Sequence, residues 1–185
     1  MKRLRYCLIA AIGSGVLMLA STGAIAQEAD AAPDRSGFTL LLSLGVGNQI
    51  NEPMDETAVG LGGLNLGIGG FLNPDLALWF RISGTNVSFS PEGASEDTRV
   101  VSAGGLLGVQ YWANDSFNLE AGAGVGFANA DPGDREQGFS MMLGAAWSFY
   151  HKGVTSFQVG VEYAPVFLDA GNIHNIGIVF GWQLL

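Results

Sequence analysis

Apolar side chains recur at every second position along most of the chain that follows residue 37. Such spacing places the apolar residues on one face of a β-strand. In the first row they are Phe38, Leu40, Leu42, Leu44 and Val46. Eight rows follow one another, at 38–46, 64–68, 76–82, 101–111, 117–127, 139–149, 157–163 and 176–184. The pattern predicts an all-β fold of eight antiparallel strands, an even number that suits a closed up-and-down barrel.

The connections between the rows are of two kinds. Three tight turns of turn-forming residues are predicted at 73–75, 113–115 and 151–153. Longer polar loops are predicted at roughly 48–58, 86–98, 128–137 and 166–173. Short turns on one rim and long loops on the other are typical of barrels that span a bacterial outer membrane, with periplasmic turns and extracellular loops. Both termini are therefore expected at the periplasmic end.

The face opposite the apolar rows decides between a membrane barrel and a soluble β-barrel of the lipocalin kind. Small and polar residues dominate that face, which in the fifth strand reads Asn118, Glu120, Gly122, Gly124 and Gly126. A water-facing surface would carry many Lys and Glu residues, whereas small residues fit the narrow interior of an eight-stranded barrel. We therefore expect the small face to line the lumen and the apolar face to contact lipid.

Aromatic residues are predicted to form two girdles near the strand ends, where amphipathic rings suit the bilayer interfaces. One girdle comprises Phe38, Tyr111, Phe117, Trp147, Phe149, Phe157 and Trp182. The other comprises Phe127, Phe139, Tyr163 and Phe167.

Composition narrows the class of protein further. Glycine accounts for 28 of the 185 residues and charged residues for only 14%, against about 25% charged residues in an ordinary soluble domain. Disorder is excluded because it needs low hydrophobicity and high charge. The net charge of −9 argues against a nucleic-acid partner.

The N-terminus has the form of an export signal. Lys2, Arg3 and Arg5 precede an uncharged run, and Ala24-Ile25-Ala26 supplies a cleavage pattern. The sequence predicts a signal peptide at 1–26, a short periplasmic segment at 27–36 and the barrel at 37–185. An uncleaved membrane anchor is the alternative, but the run is short for a bilayer span. Cleavage removes three of eight basic residues, which leaves five against 17 acidic residues and a net charge of −12. It also removes Cys7, the only cysteine, so no disulfide is expected.

Three charged residues are predicted to point into the lumen: Arg81, Glu120 and Glu162. Arg81 and Glu120 lie at comparable depth on next-but-one strands, so their side chains can meet. A charge in the lumen is costly unless it is paired. We expect an ion pair that plugs the lumen, with Asn65, Gln110, Asn118 and Gln158 completing the network. A gate that swaps Arg81 between the two glutamates is the functional alternative.

The last strand resembles a recognition motif for outer-membrane assembly. Its residues Asn175, Gly177, Phe180 and Trp182 fit the pattern polar-x-Gly-x-x-aromatic-x-aromatic. With the signal peptide and the eight rows, the chain resembles the small outer-membrane β-barrel superfamily of OmpA and OmpX type. The resemblance implies insertion by the barrel-assembly machinery. One departure is that the chain continues past the aromatic residue with Gln183-Leu184-Leu185.

The predicted extracellular loops are acidic. They contain ten Asp or Glu residues against Arg99 and Arg135, a balance of about −8. The charge favours solubility, or a binding face for basic partners or for divalent cations. Calcium would bridge loop carboxylates and lipopolysaccharide phosphates. No His, Cys and carboxylate cluster has metal-ligand spacing, and no cofactor is expected.

An outer-membrane enzyme is the rival class. The lipid A deacylase family has a His-x-Ser-Asn arrangement, but Asn175 and Ile176 follow His174 here, so the serine is missing. His151 lies in a predicted periplasmic turn. We therefore expect no catalytic residues and a role in membrane integrity or in adhesion through the acidic loops. A narrow gated pore is the alternative. The expected partners are membrane lipid, lipopolysaccharide and a surface ligand, and the chain is expected to be monomeric.

Overall fold

The computed structural model describes residues 35–52, 55–89, 98–131 and 135–185. The predicted signal peptide and all of the segment 27–36 except its last two residues lie outside this part of the chain. Eight β-strands are present: β1 (Phe38–Asn51), β2 (Glu56–Asn73), β3 (Leu76–Phe89), β4 (Thr98–Trp112), β5 (Phe117–Asp131), β6 (Arg135–Lys152), β7 (Thr155–Leu168) and β8 (Gly171–Leu184). Within the described ranges, no helix has the length and apolar character needed to cross a membrane.

The strands form a closed barrel in which each strand pairs antiparallel with its sequence neighbours. The seam joins β1 to β8 from the pair Leu40 and Leu184 to the pair Asn51 and Ile173. The all-β fold and the eight-stranded antiparallel barrel are therefore confirmed. The end that carries residue 35 and Leu185 is called the terminal end below, and the opposite end is called the far end.

The two faces of the wall divide as the alternation predicts. Side chains of the apolar rows point outward and are exposed, with Leu107 70%, Phe180 63% and Leu44 54% accessible. Their inward neighbours, such as Ser102 and Asn118, are buried. Because an exposed apolar surface of this extent is unfavourable in water, the outer wall suits a lipid environment.

The connections at the far end are shorter than the sequence predicts. They span 52–55, 90–97, 132–134 and 169–170, while those at the terminal end span 74–75, 113–116 and 153–154. The loops predicted at 48–58, 128–137 and 166–173 are therefore too long, and residues 90–97 of the loop predicted at 86–98 lie outside the described residues. The physical reason is that backbone pairing continues through polar residues beyond the apolar rows, as in the pairs Asn51–Glu56 and Asn129–Arg135. The strands thus extend past the apolar belt at the far end.

The tight turns predicted at 73–75 and 113–115 are confirmed, whereas the turn predicted at 151–153 lies at Gly153 and Val154, because His151 and Lys152 pair as part of β6. The Asn73 Oδ1 atom accepts a hydrogen bond from the Asp75 backbone N–H at 2.9 Å, and Asn114 Oδ1 accepts one from Ser116 N–H at 2.9 Å. Both are turns closed by an asparagine side chain. Gly153 adopts a φ of 58°, which a side chain would disfavour.

The lumen is less uniformly small and polar than expected, because several large apolar side chains point into it. Trp79, Leu106 and Met142 form one buried cluster with Ala164. Glycines make room for the indole of Trp79: a Cβ atom on Gly108 would lie 2.6 Å from its Cζ2 atom. These glycines therefore accommodate an inward tryptophan, a packing role that the alternation did not reveal.

Candidate functional site

The three charged residues predicted for the lumen lie in direct contact, and they are called the ion cluster below. Arg81 Nη1 donates to Glu120 Oε2 at 2.6 Å, while Arg81 Nη2 donates to Glu162 Oε2. Arg81 is only 2% exposed. The guanidinium therefore pairs with both carboxylates at once, across the width of the lumen.

Alternate strands bring the ion cluster together. Arg81 lies on β3, Glu120 on β5 and Glu162 on β7. On the intervening strand β6, Gly144 pairs in register with both Glu120 and Glu162. A Cβ atom there would lie 3.6 Å from the Glu120 Cβ atom. This distance is an ordinary van der Waals contact, so the pairing register of β6 sets the spacing of the two glutamates without a steric need for glycine.

Neutral polar side chains complete the hydrogen bonding of the two carboxylates. Gln110 Nε2 donates to Glu120 Oε1 at 2.9 Å, Asn65 Nδ2 donates to Glu162 Oε2 at 3.3 Å, and Ser83 Oγ donates to Glu162 Oε1 at 3.2 Å. The other two predicted members of the network bond each other instead, because Asn118 Nδ2 donates to Gln158 Oε1 at 3.0 Å. Each of the four carboxylate oxygens thus accepts at least one hydrogen bond.

A second polar layer lies between the ion cluster and the far end. Gln49 Nε2 lies 3.0 Å from Ser102 Oγ and 2.9 Å from Asn175 Oδ1, and Thr85 Oγ1 lies 3.0 Å from the same Asn175 atom. Asn175 Nδ2 also donates to the Ala164 carbonyl at 2.9 Å. The asparagine predicted as part of the assembly motif is therefore a buried member of the lumen network.

The far end of the lumen is filled by apolar side chains, called the apolar cap below. Its buried members are Val87, Phe89, Val100, Ala128, Val166 and Ile173. The cap was not predicted, because its residues interrupt the small and polar character of the inward face. A sequence signal existed in the inward valines and the phenylalanine near the ends of β3 and β4.

The terminal end is covered by an arginine that precedes the first strand. The guanidinium carbon of Arg35 lies 4.2 Å from the ring centroid of Trp112, and Nη2 lies 3.2 Å from Asp115 Oδ1. Arg35 is 4% exposed. Burial lowers the pKa of this guanidinium from its usual value, while Asp115 raises it. Sequence reasoning missed this contact, although Arg35 is the one basic residue close to the start of β1.

Glu136 is a further charged residue on the inward face, so the prediction of only three lumenal charges is incomplete. It pairs in register with Ala128, a member of the apolar cap, and its Oε2 atom is buried without a hydrogen-bond partner among the described residues. The residue was assigned to a loop because the strand β6 was expected to begin later.

Three side chains form a hydrogen-bonded chain on the outer rim of the far end. Glu52 Oε1 lies 3.1 Å from His174 Nε2, and His174 Nδ1 lies 2.8 Å from Tyr163 Oη. The Asn172 backbone N–H also donates to Glu52 Oε2 at 3.0 Å. This backbone hydrogen bond, reinforced by His174, holds the pKa of the Glu52 carboxyl below its usual range. The chain connects the end of β1 to β7 and β8.

The other residues of the predicted assembly motif lie along β8, where it closes the barrel. Phe180 points outward and pairs with Leu44 of β1, and Trp182 pairs with Leu42. Gly177 lies opposite Gly47. In the part of the chain that is described, no three His, Cys, Asp or Glu side chains are grouped so as to hold a metal ion.

Comparison with known proteins identifies the fold. No family model matches the sequence, and no curated protein matches it. Among solved structures, the attachment invasion locus protein Ail of Yersinia pestis is similar, with a TM-score of 0.60 and 16% identity over 80% of this chain and 99% of Ail. Neisserial surface protein A is similar, with a TM-score of 0.57 and 16% identity over 80% of this chain and 97% of that protein. The chain therefore has the fold of the small eight-stranded outer-membrane β-barrels.

Proposed function

We propose that the protein is an integral outer-membrane barrel with a plugged lumen, which acts in membrane integrity or in surface contact. The observation that carries the proposal is the continuous band of exposed apolar side chains around a closed wall, with examples such as Leu107 at 70% exposure. A closed barrel satisfies its backbone groups internally, as a lipid environment requires. The far end then faces the outside of the cell.

The filled lumen supports a structural role over a pore. The apolar cap fills one end, the Arg35 and Trp112 contact covers the other, and the ion cluster crosses the middle. A narrow gated pore is the second candidate, since the ion cluster is the arrangement that a gate would use. Because Arg81 contacts Glu120 and Glu162 simultaneously, its geometry supports a static plug more than a switch between partners.

The charge of the far end supports one kind of surface partner over another. The structure of Ail was solved with a heparin analogue, sucrose octasulfate, which is a polyanion. The far end of this chain carries acidic residues at Glu52, Asp55, Glu56 and Asp169. Repulsion between like charges disfavours a polyanion here, so the partner is a cationic surface or one bridged by calcium.

The rim supports no catalytic assignment. His174 lies beside Tyr163 and Glu52 without the serine of the deacylase arrangement, and His151 lies 6.4 Å from Trp112 between ring centroids at the terminal end. We propose that the His174 chain fastens β1 to β7 and β8 and that the protein is not an enzyme.

The route to the membrane completes the proposal. Residues 1–26 act as a signal peptide and are removed. The assembly machinery recognises Asn175, Gly177, Phe180 and Trp182 on β8, and the folded barrel is a monomer in contact with lipid and lipopolysaccharide. Support comes from the position of β8 at the seam with β1.

A deletion strain tests the proposed role. The strain is complemented with wild-type protein or with a variant that combines Glu52→Gln, Asp55→Asn, Glu56→Gln and Asp169→Asn, after both proteins are located in the outer-membrane fraction. We expect the deletion to raise permeability to large antibiotics or to lower adhesion. The neutralised variant should bring permeability back to the low level of the parent strain but should not restore adhesion. A deletion strain that matches its parent in both assays would contradict the role.

A further inference from the structure

The ion cluster contains one more carboxyl group than it has basic groups. Its guanidinium, on Arg81, contacts Glu120 and Glu162 together. With both carboxyl groups ionised, one positive and two negative charges would leave a formal charge of −1 in a buried setting. An unbalanced buried charge is strongly unfavourable. A single proton balances it, and the hydrogen bonds around the two carboxyl groups determine which oxygen can carry that proton.

Glu120 ends a chain of hydrogen bonds whose direction is fixed by a backbone carbonyl. Thr39 Oγ1 lies 2.6 Å from the Leu184 carbonyl oxygen, which only accepts, so the hydroxyl donates to it. Gln183 must therefore present its nitrogen to Thr39 at 3.0 Å, and the same nitrogen lies 2.7 Å from Gln110 Oε1. The nitrogen of Gln110 then faces Glu120 Oε1 at 2.9 Å. This oxygen of Glu120 has to accept.

The second oxygen of Glu120 also faces a donor. Arg81 Nη1 lies 2.6 Å from Oε2, and a guanidinium has no acceptor. A protonated carboxyl group must donate a hydrogen bond from one of its oxygens. Because both oxygens of Glu120 face N–H groups, the arrangement matches an ionised carboxylate at this position.

Glu162 differs from Glu120 at one oxygen. Its Oε2 atom faces Arg81 Nη2 and, at 3.3 Å, the Asn65 side-chain nitrogen. Among the described residues, its Oε1 atom has only the Ser83 hydroxyl within hydrogen-bond distance, at 3.2 Å. A hydroxyl group can donate or accept. This bond is therefore the one in the ion cluster whose direction can reverse.

We propose that Glu162 holds a proton at neutral pH and donates a hydrogen bond from Oε1 to Ser83. The proton makes the ion cluster a neutral plug of one guanidinium, one carboxylate on Glu120 and one carboxylic acid. It reverses the Ser83 bond and leaves every other hydrogen bond of the cluster in place. The proton site goes beyond the proposed surface role and does not depend on it, because it follows from the contacts inside the lumen.

Glutamine substitutions at the two positions test the assignment, because a glutamine has one accepting and one donating end, like a protonated glutamate. At position 162 the nitrogen can face Ser83 and the oxygen can face Arg81. At position 120 the nitrogen must face either Arg81 or Gln110, which are both donors. In urea unfolding of the refolded protein in detergent micelles at pH 7, Glu162→Gln should keep the wild-type midpoint and Glu120→Gln should lower it. Equal midpoints of the two variants, or the reverse order, would overturn the assignment.

The infrared spectrum detects the proton directly. At pH 7 the exposed carboxyl groups are ionised, since their ordinary pKa values are about 4. In a detergent without carbonyl groups, the wild-type protein should show a carboxylic-acid band that is lost in Glu162→Gln. Glu52→Gln, the same change on the rim, should retain it. A wild-type band that keeps its intensity in Glu162→Gln, or the lack of such a band in the wild type, would contradict the proton site.

The dependence of stability on pH gives a third measurement. The charged groups that face Glu162 are Arg81 from β3 and Glu120 from β5, while β6 and β8 place Gly144 and Gly177 beside it in register. A glutamate in the unfolded chain releases its proton near pH 4.3, to about one unit. The folded protein therefore binds one proton more, and its stability falls as pH rises. Between pH 6 and pH 9 the wild-type urea midpoint should fall relative to that of Glu162→Gln, and a constant difference would contradict the proposal.

Discussion

The middle and the far end of the lumen are closed by opposite means. The ion cluster closes the middle with charges that are paired in one geometry, whereas the apolar cap closes the far end with hydrocarbon. An apolar filling loses stability in proportion to the volume removed. A charged filling fails abruptly when one partner is lost, because the remaining charges stay buried. We therefore expect the apolar cap to tolerate substitution with a gradual loss of stability, and the ion cluster to lose stability sharply when one charge is removed.

Removal of the Arg81 guanidinium from the middle of the lumen should cause the largest loss of stability. Arg81→Met keeps apolar volume but leaves Glu120 and Glu162 buried without a counter-charge, so we expect a loss of about 3–5 kcal/mol. Urea unfolding followed by tryptophan fluorescence, together with heat-modifiable gel mobility, measures it. The matched control is Arg99→Met, whose exposed guanidinium bonds Asn86 at 2.8 Å and which should change stability by less than about 0.5 kcal/mol. Equal effects of the two substitutions would refute the charged closure.

Removing all three charges of the ion cluster should destabilise the barrel less than removing Arg81 alone. Arg81→Met combined with Glu120→Gln and Glu162→Gln removes every buried charge of the cluster, and such replacements are often neutral or stabilising. We expect most of the stability lost in Arg81→Met to return in the triple variant, measured by the same urea titration. A triple variant as unstable as the single variant would show that the charges are not the source of the loss.

Truncation in the apolar cap should have a smaller and graded effect. Ile173, which is 2% exposed, loses buried volume on substitution, so Ile173→Ala should cost about 2–3 kcal/mol and Ile173→Val about 1 kcal/mol. The two substitutions together identify a packed filling, because its loss of stability should increase with the volume removed. The charged closure has no corresponding intermediate loss. If alanine and valine at this position were equally disruptive, the cap would not be a simple packed filling.

Alanine substitutions at an inward and at an outward glycine should differ in their effect on stability, and this difference is the next smaller one. A Cβ atom on Gly122 would lie 2.8 Å from Trp79 Cη2, whereas one on the outward Gly105 meets nothing nearer than Phe80 Cζ at 3.7 Å. Gly122→Ala should therefore destabilise by about 1–3 kcal/mol through overpacking, and Gly105→Ala by less than about 0.5 kcal/mol. Thermal unfolding of the pair measures the difference, and equal stability would mean that Trp79 does not depend on this glycine.

A substitution at the rim of the far end should have the smallest effect on stability, and the size of this effect should depend on pH. The pKa of Glu52 is depressed in the folded protein, first by the Asn172 hydrogen bond and then by His174. A depressed carboxyl pKa stabilises the fold above the usual pKa, about 4.3, and that contribution is lost as pH falls through the folded value. Wild type and Glu52→Gln should differ slightly at pH 6 and converge at acidic pH. Carboxyl chemical shifts check the direction, and a Glu52 pKa at or above the ordinary value would contradict it.

The sequence predicts which side chains form the two faces of the barrel wall, but it does not predict how the inward side chains pack in the lumen. Alternation assigns a face to Leu44 or Ser102 because a strand has a fixed side-chain period. The same period places Trp79 and Phe89 inward but does not reveal that glycines such as Gly108 accommodate the indole. Pairings such as Arg35 with Trp112 depend on how the chain enters the barrel, which the pattern does not encode. Strand ends were also misplaced, because polar residues such as Asn129 and Gln137 pair as readily as apolar ones beyond the lipid belt.

The conductance of the refolded wild-type protein in planar bilayers tests the doubly closed lumen most directly. The account predicts a membrane that stays at its baseline current at low and high salt, because the apolar cap and the ion cluster each fill the lumen. Discrete and recurrent openings of the wild-type protein, at a voltage where protein-free bilayers stay silent, would contradict it and would establish the gated pore instead.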